Sequence, residues 1–349
     1  MSSTNQRNIF IDTEQYHGSD NKVQLLFPSQ TLVVPQGFGM KLSLQQFTMK
    51  KTFYNINEYN NTFYIFTPAA GTPPTSAGTF LQLKIPEGDY YNFGATDAVA
   101  NSLCAAIKTA FTAGTITDAS VTYDQRDRKL TVTSVSLGTN NKKILFLQVP
   151  PSRQVLIPTN VTPNGYYSDV AEIFGGKSIQ QDLSGQFSPE ESMSKSGNTY
   201  TSFYPASLYS MENLRLVVNL GNSNLETPNM DANSSTSICI TSQTFATIPL
   251  QTGTFDGLSL IEPAMIIYKD DGDEVFSIKL QQNHIDNCQF SIVDGKGRPI
   301  AEVDTNQYKN GQMSYQMVLR YEIIEEPYVA NPSNMPSGNR SGNLKPQLN

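Results

Sequence analysis

Residues 40–49 read MKLSLQQFTM, and the way this stretch alternates decides the fold. Leu42 and Leu44 fall on one face, two residues apart, and Phe47 joins them one residue out of phase. A period of two marks an extended strand with one face buried, whereas a helix spaces its apolar positions by three and four. Residues 40–49 therefore predict a half-buried antiparallel strand. Its partners set the topology. Pairing with nearby segments gives two tandem β-domains, whereas pairing with strands after Leu214 gives one sandwich built from both ends of the chain, with the middle as an insertion. Strands close in sequence more often pair, which favours the tandem arrangement.

Working outward, Asn8–Phe10, Lys22–Phe27 and Thr31–Val34 are strand-like runs between turn signals. Downstream, KKTFYNINEYNNTFYIF is two aromatic stretches around an Asn-rich bend, read as strand, turn, strand. The Pro- and Gly-rich segment Thr67–Gly78 is expected to protrude, and Leu81, Leu83 and Ile85 to pair back onto Phe63–Phe66. ASVTYD and RKLTVTS flank a hairpin turn, and KKILFLQVP reads as a buried strand. From Leu214 to Ile324, short apolar runs separated by turns such as DDGD and GKGR suggest a β-sandwich. The expected division is an N-terminal arm (1–19), a β-rich domain (20–150), an irregular connection (151–205), a C-terminal sandwich (206–328) and an extended tail (329–349).

One segment reads as helix, residues 96–112, with Val99, Leu103, Ile107 and Phe111 as its apolar stripe. Thr96 or Ala95 is expected at its start, Asp97 in its first turn, and Gly114 at its end. The opposite face, with Asn101, Ser102 and Thr109, carries no constellation of acids, histidines or cations. The helix is expected to brace a sheet, with Cys104 near its buried edge and substitution tolerated at Asn101. The fold class is all-β, mainly an antiparallel jelly-roll sandwich, with this amphipathic helix packed on a sheet.

Composition narrows the function. The chain has 349 residues, is 38% hydrophobic and 16% charged, and carries a net charge of −7. A packed core is expected, and no clustered cations suit sequence-specific nucleic acid. Three widely spaced cysteines, Cys104, Cys239 and Cys288, give neither a metal pattern nor a disulfide framework, which suits a reducing compartment. The polar N-terminus lacks a secretory signal, and no apolar run approaches the roughly 18 residues of a transmembrane span. Synthesis in the cytosol is expected.

The motifs are weak. AEIFGGKS (171–178) is a relaxed phosphate-loop match, but no buried strand precedes it and no good helix follows, so a surface turn is the better reading. The acidic turn 270–274 (DDGDE) lacks the ligand count of a calcium loop and reads as a polar hairpin turn. His17 and His284 have no triad partners nearby. The N-x-S/T triplets at Asn60, Asn160, Asn233 and Asn339 are chance matches in an Asn-rich chain. Phe47, Phe53, Tyr54, Tyr59, Phe63 and Tyr64 read as core rather than as a stacking platform. No catalytic, cofactor-binding or metal-binding residue is assigned, and no enzymatic activity is expected.

The order of these pieces resembles the minor capsid and penton-type proteins of icosahedral double-stranded DNA viruses, the lineage of giant viruses, virophages and polinton-like viruses. The pieces are RNIFIDTEQY, SLQQFTMKKTFYNINEYNNTF, a strand ending IPEGDY before one helix, TYDQRDRKLTV, AEIFGG, FATIPL and FSIVDGKGRPIAEV. The resemblance implies a jelly-roll structural protein of the virion, assembled in the host cytoplasm. It also implies the major capsid protein and other minor capsid proteins as partners, with self-association as a pentamer in some members. The alternative function is a spike component that binds a receptor or glycan through the Thr67–Gly78 loop or the C-terminal domain.

Overall fold

The computed structural model describes residues 6–13, 22–26, 38–51, 53–68, 78–139, 141–147, 168–179, 191–208, 211–219, 228–230, 239–241, 244–250, 265–280, 287–298, 300 and 314–325. The expected strand Thr31–Val34, the tip of the Thr67–Gly78 loop, His17, His284, Asn160, Asn233, Asn339 and the tail lie outside these residues.

Among the described residues, three strands precede the middle of the chain: β1 (Gln6–Asp12), β2 (Lys22–Leu26) and β3 (Phe38–Lys50). The middle contains β4 (Thr62–Pro68), β5 (Gly78–Lys84), α1 (Leu103–Ala113), β6 (Ser120–Asp124), β7 (Lys129–Thr133), α2 (Val135–Thr139) and β8 (Lys143–Leu147). It continues with α3 (Val170–Phe174), β9 (Ser178–Ile179), β10 (Ser194–Ser196) and β11 (Thr199–Thr201). Next come β12 (Asn213–Asn219), β13 (Pro228–Met230), β14 (Cys239–Thr241) and β15 (Thr244–Pro249). The chain closes with β16 (Met265–Lys269), β17 (Ser277–Leu280), β18 (Asn287–Asp294) and β19 (Tyr315–Glu325).

β3 pairs with β19 on one side and with β16 and β17 on the other, and β1 lies outside β19. The opposing sheet runs β15-β12-β18-β2. Apart from β12 and β15, which pair in one sheet, and β16 and β17, which share one edge of the other, successive strands switch between these two antiparallel sheets, which is the jelly-roll arrangement. The tandem division of the chain is corrected by this pairing, since β2 and β3 take their partners from beyond Asn213 rather than from β4 and β5. The physical reason is that the inward residues of β3 need an opposing apolar sheet. β12, β15 and β18 supply it with Leu214, Leu216, Ile248 and Phe290, all nearly inaccessible.

The irregular spacing of Phe47 has a structural cause. The register with β19 shifts between Val318 and Leu319, so Val318 faces Gln46 while Leu319 faces Leu44. Gln45 is the extra residue of a bulge, which returns Phe47 and Met49 to the core face. Its carbonyl accepts a hydrogen bond from the backbone N–H of Asp270, 2.9 Å away. The acidic turn 270–274 is thus not a hairpin turn. It interrupts one edge, since β16 and β17 lie along the same strand, β3.

Residues 56–208 build a second core, while Phe53 still packs into the first. Two sheets, β5-β4-β8-β9 and β10-β11-β7-β6, enclose α1. Residues 191–201 were expected to be irregular, but β10 and β11 form a hairpin there and extend the sheet of β7. Phe63 on β4 is a hub, its ring 5.3 Å from Phe111 of α1 and 5.1 Å from Phe174 of α3. Strand β8 is buried on both faces, as its continuous apolar run predicts.

Helix α1 starts later than the stripe suggests. Asn101 adopts a left-handed φ of 57°, Ser102 is the N-cap, and its Oγ accepts from the Ala105 N–H at 3.2 Å. Val99 is exposed rather than part of the stripe, and Ser102 is buried. Asp97 serves a different end from the helix dipole: its carboxylate accepts from the Val121 N–H at 3.1 Å and pairs with Lys108. Leu103, Cys104, Ala106, Ile107, Ala110 and Phe111 form the buried face. Burial, and then the charge of Asp97, push the Cys104 thiol up to about 12, so it stays protonated.

Two outcomes follow. Ile107→Asp places a charge in the second core and is expected to abolish cooperative thermal unfolding measured by circular dichroism. Asn101, expected from sequence to be indifferent, is constrained by its φ. Asn101→Gly should be close to neutral while Asn101→Val should lower stability by about 1–2 kcal/mol in urea titration.

Candidate functional site: an ion cluster between the two cores and an open sheet face

Helix α3 and the turn after β18 meet between the two cores. The turn, Asp294 to Arg298, is shaped by Asp294, whose Oδ1 accepts from the backbone N–H groups of Lys296 (2.9 Å) and Arg298 (2.7 Å). The Arg298 side chain folds back, and its Nε donates to Asp294 Oδ2 at 2.6 Å. Gly297 holds the turn with φ 83°.

From the other side, α3 presents Asp169 and Glu172. Lys296 Nζ contacts Asp169 Oδ1 at 2.6 Å and Glu172 Oε1 at 2.8 Å. The Arg298 guanidinium contacts Asp169 Oδ2 and lies 4.5 Å from the centre of the Tyr59 ring. Asp169, Asp294 and Arg298 are buried. Charges removed from water must be paired, and here each oxygen of Asp169 receives its own cation.

Asp169 occupies the N-cap of α3, yet its side chain makes no capping hydrogen bond. An N-cap aspartate ordinarily accepts from the helix's free amides, a contribution of about 1 kcal/mol. Here the carboxylate is committed to the jelly-roll turn instead, and Ser168 Oγ accepts from the Val170 N–H at 3.3 Å.

Burial works against the charged forms of Lys296 and Arg298, but their pairs with Asp169, supported by Glu172 and Asp294, raise both above their ordinary values. The sign follows from the raised direction. The stability these cations contribute is fully present below the ordinary lysine value of 10.5 and is lost only as pH rises through the higher folded value.

AEIFGGKS is not a surface turn. Val170, Ala171, Ile173 and Phe174 are buried, and Gly175 ends the helix with a left-handed φ of 64°. A side chain at Gly176 would meet the Phe146 ring at 2.2 Å. The two glycines thus serve close packing, and Lys177 lies over the Phe203 ring at 4.4 Å.

The other singled-out residues fall elsewhere. Glu274 of the acidic turn pairs with Lys41 and, at 3.5 Å, with Arg320, while Asp270 accepts from the Glu274 N–H. Among the described residues, no three His, Cys, Asp or Glu side chains converge as a metal site. Asn60 is buried, its amide donating to the Asn55 carbonyl and accepting from the Asn57 N–H. Phe47, Phe53, Tyr59, Phe63 and Tyr64 are core residues, as expected. No described helix is long and apolar enough to cross a membrane.

A second feature is the outer face of the sheet containing β1, where Phe10, Ile267 and Met265 are 74%, 61% and 44% exposed. A groove of about 440 Å³ on this face is lined by Phe10, Asp12, Gln46, Thr48, Gln316 and Val318. Gln316 Nε2 donates to Asp12 Oδ2 at 3.0 Å along its floor.

No protein-family model and no curated protein matches the chain. Among solved structures, the chain is similar to the mavirus penton protein, with 11% identity, a TM-score of 0.42 and coverage of 93% of this chain and 100% of that one. It is also similar to a chain of the Sputnik virophage structure obtained by cryo-electron microscopy, with 15% identity, a TM-score of 0.38 and coverage of 93% and 99%.

Replacing Arg298 by Met leaves Asp169 and Asp294 buried beside a missing charge. The variant is expected to lose about 3–5 kcal/mol in denaturant unfolding. Glu172 is half-exposed, so Glu172→Gln should cost less than about 1 kcal/mol in the same assay.

Proposed function

We propose that this chain is a structural component of an icosahedral viral capsid, a penton or minor capsid protein that joins or cements capsomers. The observation that supports this reading best is the jelly roll itself, with apolar side chains uncovered on one outer sheet face. Phe10, Ile267 and Met265 contribute nothing to the core and are suited to burial against another protein. We read residues 51–208 as an insertion between β3 and β12, giving the molecule a second body with which to reach a neighbour. Two segments that carry the sequence resemblance, AEIFGG and FSIVDGKGRP, adjoin the junction where these bodies meet. The partners proposed are the major capsid protein, other minor capsid proteins and further copies of this chain, and the location is the virion.

The groove beside Phe10 supports a second reading, a spike component that binds a glycan. An exposed aromatic ring, two amides and a carboxylate can stack on and hydrogen-bond a sugar.

Cryo-electron microscopy of native particles separates the two readings. Density for the jelly roll at the vertices or between capsomers is expected. Density confined to projecting fibres would favour the second reading, and absence of the chain from purified particles by mass spectrometry would overturn both.

A further inference from the structure

The exposed apolar residues of the outer sheet face are not spread across it. They sit on its two edge strands, Phe10 on β1 and Met265 and Ile267 on β16. Between them the central strands β19 and β3 present mainly polar groups, Gln316, Gln46 and Thr48, around the half-buried Val318. A partner lying flat on this face would meet amides at its centre, whereas interfaces are most apolar at the centre. The apolar residues are placed instead for partners at the edges. Among the described residues, neither β1 nor β16 has a strand on its outer side, and an open edge offers unpaired backbone groups to another strand.

Polarity and register make the two edges fit each other. Each strand of the path β1-β19-β3-β16 is antiparallel to the next, so β1 and β16 run in opposite directions. A second copy in the same orientation therefore sets its β16 antiparallel to β1 and continues the sheet. Asp12, Gln316, Thr48 and Ile267 form one cross-strand row, and Phe10, Val318, Gln46 and Lys269 form the next. Carried across the boundary, these rows set Asp12 opposite Ile267 and Phe10 opposite Lys269. Each side chain then lies diagonal to its complement, Phe10 to Ile267 and Asp12 to Lys269. The apolar pair leaves water, the acid meets a base, and the lysine also faces the Phe10 ring.

We propose that β1 of one copy docks beside β16 of a second copy, extending the sheet from subunit to subunit. This contact gives the capsid reading its self-association partner and rests on that reading for its purpose. It joins two different edges, so each copy keeps one edge for the next, and the assembly closes as a ring or grows as an open chain. A two-fold pairing of β1 with β1 would cover Phe10 but leave Met265 and Ile267 in water.

Equal amounts of ordinary and isotopically heavy full-length chain, treated with a zero-length carbodiimide, test the contact. A mixed-isotope peptide pair joining Asp12 to Lys269 is expected. Within one chain these residues are three strand spacings apart, about 14 Å, too far for a zero-length bond. Phe10→Ser and Ile267→Ser alter side chains outside the core, so both variants should keep the wild-type melting temperature. Each should weaken self-association at least roughly tenfold in analytical ultracentrifugation. Wild-type chain that stays monomeric up to about 100 µM would overturn the proposal. So would association without the mixed-isotope link, or association that Ile267→Ser leaves unchanged. Mass spectrometry of purified particles separates this failure from that of the capsid reading. The chain present in particles after such a result keeps the capsid role with a different protein on Phe10. The link formed by a chain absent from particles keeps the contact and removes the capsid role.

Discussion

Everything in this fold depends on where β3 finds its partners. Among the described strands it alone joins three others in its sheet, and all three lie more than two hundred residues downstream. Once β3 sits between β19 and the β16–β17 edge, the first and last described strands become neighbours and the sandwich closes. The middle of the chain is then a loop from one sheet to the other, long enough to fold on its own core. Such closure is entropically slow to reach, because the contacts that define it are among the most distant in sequence. The bulge at Gln45 completes the arrangement, since without it Phe47 and Met49 would face solvent.

The ion cluster is of a different kind. Buried ion pairs seldom add net stability over well-packed apolar groups of the same size, since desolvation offsets the attraction. Their strength lies in orientation: two cations on one carboxylate tolerate one geometry. Asp169 gives up its ordinary capping role for this, and the turn from Asp294 to Arg298 is bent around a carboxylate to present both cations together. Directed charge orients the α3–turn junction, and Phe53, just after β3, packs into the jelly-roll core.

Much of this was legible in the sequence. The alternation of Leu42 and Leu44 announced β3, and the displaced Phe47 already recorded the bulge. Apolar periodicity found α1 but extended it too far, because Val99 keeps the four-residue spacing by coincidence. The better signal was Asn101-Ser102, a left-handed residue followed by an N-cap. The topology was not legible, since an alternating strand states which face is buried but not what covers it. The ion cluster was hidden for a related reason. Asp169 and Arg298 are far apart in sequence, and each sits in or beside a short motif, AEIFGG or DGKGR, that reads locally as a turn. Only the fold brings them together.

A capsid role fits a molecule whose chemistry lies in its surfaces and in the angle between its parts, and that reading rests on the jelly roll being closed by both ends of the chain. The register of β3 against β19 sets Thr48 opposite Gln316, both on the outer face. With Thr48→Cys and Gln316→Cys introduced together, mild oxidation should produce an intramolecular disulfide in the monomer, found by peptide mapping under non-reducing conditions. If that cross-link never forms within one chain, the two ends do not meet in one sheet, and the account of a single jelly roll interrupted by an inserted body is contradicted.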